Sequence, residues 1–115
     1  MSERSSLLKH YILDDEHHLV EVDLLTWARW FEDTPCRIVQ QTTITAHCWV
    51  STVFLGLDHR FHGKGPPVVF ETMVFGGPEK LDGDMWRYSS WDDAQAGHDA
   101  AVRKVTEAIK ARAKV

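Results

Sequence analysis

Between Gly56 and Pro67 the chain reads Gly-Leu-Asp-His-Arg-Phe-His-Gly-Lys-Gly-Pro-Pro, which gathers Asp58, His59, Arg60, His62 and Lys64 among glycines. Glycines let backbone N–H groups close on an anion, and Arg and Lys add charge-assisted donors. This composition fits a site for a nucleotide phosphate or another small anionic ligand, held by the loop and the elements beside it, with Asp58, His59, Arg60, Lys64, Glu71 and His98 as its contacts. The loop residues, if merely solvated, would only shape the connection. A second chemistry is also open, because imidazole and carboxylate ligands suit zinc, manganese or iron. His59, Glu71 and His98 are the candidate set for it, and the function would be a small metal-dependent hydrolase. His59 and His62 make an HxxH in a glycine-rich loop rather than on a helix, so the pattern is not that of a zinc protease.

Glu71 is enclosed in Val-Val-Phe-Glu-Thr-Met-Val-Phe. A carboxylate in such a strand is rarely buried without a partner. It is either a general base with a raised pKa or half of an ion pair with Arg37 or Arg87. His98 lies four residues after Ala94 and four before Val102, which places it on the core side of a helix. Most such histidines are neutral and hydrogen-bonded in the core; a role beside Glu71 or His59 is the alternative. His17 and His18 flank a turn and receive no role. The chain has no Walker loop, GxSxG elbow, Rossmann glycine pattern or Cys-His nucleophile spacing. No catalytic residue and no cofactor is therefore assigned, and binding is favoured over catalysis.

These residues must be positioned by a small set of elements. His10–Leu13 and Leu19–Val22 flank Asp14-Asp15-Glu16 and read as a hairpin. Asp23 is an N-cap, and Leu24, Trp27, Ala28 and Phe31 follow at helical spacing, with Pro35 as the stop. Arg37–Ile44 and Cys48–Gly56 read as a second hairpin turning near Thr45-Ala46. Val68–Phe75 and Met85–Tyr88 are further strands. Ser90-Trp91-Asp92-Asp93 is a capping box that opens a helix to Lys110 or beyond. Gly97 in its interior costs about 1 kcal/mol relative to alanine, which a close contact with the sheet could offset. The expected fold is α+β: a mostly antiparallel sheet of four to six strands with two helices packed on one face. Residues 1–8 are polar and expected to be disordered, and 9–115 form one domain.

The register has a functional consequence. With the turn at Thr45-Ala46, Thr42 lies near Val50 and Gln40 near Thr52, and Val53 faces Glu71 if the next pairing is antiparallel. One sheet face then carries Val39, Gln41, Trp49, Ser51, Val53, Leu55, Val69, Glu71, Met73 and Phe75. The other carries Ile38, Gln40, Val50, Thr52, Phe54, Phe70, Thr72 and Val74. Neither is an ordinary solvent face, and two helices cover only one. The uncovered side implies a homodimer, a ligand or a protein partner, with Trp49, Met73 and Phe75 as interface residues. The five tryptophans read mainly as core and interface anchors.

Composition narrows the classes. The 115 residues are 43% hydrophobic and 26% charged, which is ordinary globular composition. The net charge of -4 disfavours a nucleic-acid partner. No apolar run is long enough to span a membrane, and the N-terminal residues do not read as a signal peptide. A cytoplasmic protein is expected. Cys36 and Cys48 form no CxxC pair. The hairpin register separates them by roughly 25 Å along the ladder, whereas a bridge needs Cα atoms within about 7 Å; both are expected to be free thiols.

Two stretches resemble a known group of proteins. Val50-Ser-Thr-Val-Phe-Leu-Gly-Leu-Asp-His-Arg-Phe, together with Gly65-Pro-Pro-Val-Val-Phe-Glu-Thr-Met-Val-Phe-Gly-Gly77, resembles a family of small uncharacterised proteins of bacteriophages and bacterial genomes. Arg87-Tyr-Ser-Ser-Trp-Asp-Asp-Ala and Ala96-Gly-His98 resemble the same family's entry into its C-terminal helix. The resemblance implies a phage or prophage setting and carries over no catalytic residue. It suggests an accessory protein that binds a host protein, as an inhibitor of host defence, or binds a nucleotide signal. A structural phage component working through its oligomer interface is the remaining alternative.

Overall fold

Asp14 closes the first turn, because its Oδ1 accepts the backbone N–H groups of Glu16 and His18 at 2.8 and 2.9 Å. His17 takes the left-handed conformation (φ 67°) that this tight connection requires. The resulting hairpin joins β1 (His10–Leu13) to β2 (Leu19–Val22). Asp23 then caps α1 (Leu24–Asp33), accepting the N–H of Thr26 at 2.8 Å. The computed structural model describes residues 9–33, 37–58, 65–78 and 81–113. The expected disorder of 1–8 and the thiol of Cys36 lie outside the described residues.

The main sheet has the order β3 (Ile38–Thr45), β4 (Cys48–Phe54), β5 (Phe70–Phe75), β6 (Met85–Tyr88), all antiparallel. Thr42 pairs with Val50, Gln40 with Thr52 and Val53 with Glu71, the register expected from the sequence. The expected faces need a correction at the start of β3. A bulge lies between Ile38 and Gln40, and one extra residue exchanges the faces beyond it. Val39 therefore packs in the core, while Ile38 pairs with Val53 and stays 45% exposed. Val69, expected opposite the helices, is fully buried in the cluster that holds Leu13 and Phe54.

Past β4 the chain bends at Gly56 (φ 75°) and pairs with β1: His10 bridges Leu57, and Tyr11 N–H donates to Gly56 O at 2.7 Å. The N-terminal hairpin is thus attached to the end of β4. Helix α1 packs on β1 and reaches the sheet through Trp30, whose ring stands edge-on to Phe54 at 5.6 Å. Leu24, expected on the buried stripe, is 60% exposed, because the helix meets its neighbours through Trp27 and Trp30.

Helix α2 (Trp91–Ala113) lies along the same face of the sheet. Ser90 Oγ accepts the N–H of Asp93 at 3.0 Å. Asp92 and Asp93 occupy the first turn and Lys110 and Arg112 the last, as the helix dipole favours. A side chain at Gly97 would run into the Tyr88 ring, so this glycine lets helix and sheet close on each other.

Two apolar clusters fill the space under α2. Leu13, Phe54, Val69, Phe70 and Ala94 form one; Cys48, Val50, Val74, Ala101 and Val105 form the other. Between them runs a polar layer. Four elements cross it, and each contributes one polar residue between apolar ones: Thr42 on β3, Thr52 on β4, Thr72 on β5 and His98 on α2.

Candidate functional site

His98 is fully buried. Its Nε2 lies 2.8 Å from Thr42 Oγ1 and its Nδ1 lies 2.7 Å from Thr52 Oγ1, which in turn is 2.5 Å from Thr72 Oγ1. In either neutral tautomer one ring nitrogen donates and the other accepts, and a threonine hydroxyl can take either part. Burial pushes the imidazole pKa down, against a weaker opposing pull from Asp99. The ring is therefore neutral and its hydrogen bonds are made within the core. This is a network that fixes the seating of α2 on the sheet. It offers no free nitrogen to a ligand.

Glu71 is elsewhere. Strand alternation puts it on the face opposite Thr72, with its Oε2 accepting from Arg87 Nε at 3.2 Å across the β5–β6 pair. Arg37, the other expected partner, instead donates to Phe31 O at 2.8 Å and lies over the Phe31 ring. The sheet stands between Glu71 and His98, so the two cannot hold one ion, and the expected set with His59 is not brought together. Among the described residues no group of three or more histidine, cysteine or carboxylate side chains is placed to hold a metal.

Of the loop residues expected to grip an anion, His59, Arg60 and Lys64 lie outside the described residues, as does His62. Asp58 is buried at the base of the loop, and its Oδ1 accepts the N–H of Val68 at 3.0 Å. That bond ties the two ends of the loop together, which is a structural use of the carboxylate.

The face of the sheet turned away from the helices is open. Trp49 on β4 stacks on Phe75 on β5, with ring centroids 5.3 Å apart and planes 16° apart. The two rings remain 42% and 36% exposed. Met73 pairs with Ser51 on one side and with Met85 on the other, and Met85 is itself 44% exposed. Ile38 and Val53 continue the surface, and Gln41 donates to Ser51 Oγ at 3.2 Å within it. The Glu71–Arg87 pair bounds it at one end. Among the described residues nothing covers this face. Trp49, Met73 and Phe75, the expected interface residues, all lie on this face, and Ile38 and Met85 lie on it as well. Met85 could have been found from the β5–β6 register. Ile38 was hidden by the bulge.

Two other features escaped the sequence. His17 stacks on Trp91 at 3.6 Å and 4°, which pins the hairpin to the start of α2. A groove of about 210 Å³ runs between β6 and α2, walled by Trp86 and Tyr88 and floored by Gly97 and Ala101. Lys104 at its side lies over the Trp86 ring. No helix among the described residues is long and apolar enough to cross a membrane. Comparison with family models, with curated proteins and with solved structures gives no match to this chain.

Proposed function

We propose that the chain is a non-enzymatic binding module that acts through the open sheet face and takes the apolar surface of another protein. The observation that carries this reading is the exposed Trp49–Phe75 stack, continued by Met73, Met85 and Ile38. Aromatic rings and methionines on an uncovered face are the composition of interface hot spots. A contiguous apolar surface of this kind is costly to leave in water. The phage setting implied by the resemblance makes a host protein the natural partner, with the module as an inhibitor. The competing small-anion reading rests on Arg60 and Lys64, and the Asp58 carboxylate expected to act with them accepts from the backbone N–H of Val68.

The readings separate experimentally. A photo-crosslinking phenylalanine analogue at position 75, in cells that carry the gene, is expected to give one discrete protein adduct. Trp49→Ser should abolish that adduct while leaving the fold intact. Thermal denaturation with inorganic phosphate and nucleoside triphosphates should show no shift. A rise in Tm with either anion that disappears in the Arg60→Ala, Lys64→Ala double variant would overturn the protein-contact reading in favour of the anion site.

A further inference from the structure

We infer that two copies of the chain join through the outer edge of β3, as an antiparallel pair that extends the four-stranded sheet to eight strands. The inference stands apart from the identity of the partner on the open face, which this pairing leaves free.

β3 is an edge strand and, at eight residues, the longest in the sheet. Among the described residues no strand pairs with its outer side. Edge strands are ordinarily guarded by charges, by proline, by brevity or by a covering element. The opposite edge follows that rule: β6 has four residues and carries Arg87. β3 reads Ile-Val-Gln-Gln-Thr-Thr-Ile-Thr and carries no charge and no proline, in a chain that is 26% charged.

The absence of charge selects the partner. In a two-fold antiparallel pair each side chain meets its own copy or that of a close neighbour, so any charged residue would face a like charge. The bulges near Ile38 and Thr45 confine the regular register to Gln40–Thr43. Within that window only Gln and Thr meet, and all such pairs are neutral and can hydrogen-bond across the strands. A two-fold axis normal to the sheet keeps both open faces on the same side. The two Trp49–Phe75 stacks then lie on one continuous surface of twice the width.

A contact of one strand pair is small beside the roughly 1,200 Å² of a tight interface, so association in the micromolar range is expected. Light scattering on the full chain at about 100 µM should give twice the chain mass. Thr43 is exposed on the edge strand. Thr43→Lys and Thr43→Glu should each give a folded species of single-chain mass, as judged by circular dichroism. An equimolar mixture of the two should restore the double mass through opposite charges. Phe75→Ser, on the open face two strands away, should remain a dimer. A single-chain mass for the wild type at this concentration overturns the inference. So does a dimer that persists in Thr43→Lys and dissociates in Phe75→Ser, which is the signature of face-to-face packing.

Discussion

His98 Nδ1 and Thr52 Oγ1, 46 residues apart in sequence, sit 2.7 Å apart at the centre of the fold. The burial of this imidazole makes stability depend on pH. Burial holds the folded-state pKa of His98 below the ordinary value of 6.5, so the unfolded chain binds the proton more readily. The stabilisation is fully present above about pH 6.5 and is lost as pH falls from there toward the folded pKa. The loss runs at about 1.4 kcal/mol per pH unit within that window. Urea midpoints measured from pH 8 to pH 4.5 should show this slope. His98→Gln should cost about 1–3 kcal/mol at pH 8, through a hydroxyl left unpaired, and flatten the acid limb.

Gly97→Ala replaces a poor helix former with the best one, a gain of about 1 kcal/mol in an open helix. Here the new methyl meets the Tyr88 ring, and overpacking costs about 1–3 kcal/mol. Net destabilisation is expected by chemical denaturation. In a Tyr88→Ala background the same change should become stabilising, which a double-mutant cycle reads directly.

Cys48 is 1% exposed, and its thiol pKa is pushed up by burial and then by the nearby Asp82 carboxylate. The thiolate is the reactive form. In a Cys36→Ser background, labelling by a thiol reagent at pH 7.5 should be slow in buffer and rapid in denaturing urea. Rapid labelling of the native protein would mean that the α2 end of the core opens easily.

Glu71 and Arg87 form a partly exposed pair, and such pairs contribute at most about 1 kcal/mol. Glu71→Gln should therefore shift the denaturation midpoint only slightly. A loss of several kcal/mol would show that the open face is less solvated than its geometry indicates.

The strand register was readable because turn chemistry and β-branched runs leave few alternatives: Thr42 against Val50 follows from the turn at Thr45-Ala46, and Val53 against Glu71 from an antiparallel next pairing. The side of α2 that faces the core was equally clear, since Ala94, His98, Ala101 and Val105 recur at helical spacing and all are buried. What the pattern could not give was set by backbone irregularity and by polar pairing at long range. A bulge has no composition of its own at Ile38–Gln40, so two faces were exchanged there. Three threonines far apart in sequence carry no sign that they converge on one imidazole. Glu71 and His98 looked like partners because both are polar residues in apolar surroundings; strand alternation puts them on opposite sides of the sheet.

The polar layer also partitions the way the molecule comes apart. Hydrogen bonds through Thr42, Thr52, Thr72 and His98 separate a region built on the N-terminal hairpin and α1 from one built on Val50, Val74 and Val105. Contacts do not spread evenly across such a boundary, so the two regions can open with different free energies. Native-state hydrogen exchange should find the amides of β1, β2 and α1 released together in a sub-global step. The amides of β4 and β5 should exchange only when the whole chain unfolds. The layer would then act as a firebreak, confining the fluctuations of the N-terminal third and leaving the open face rigid while they occur.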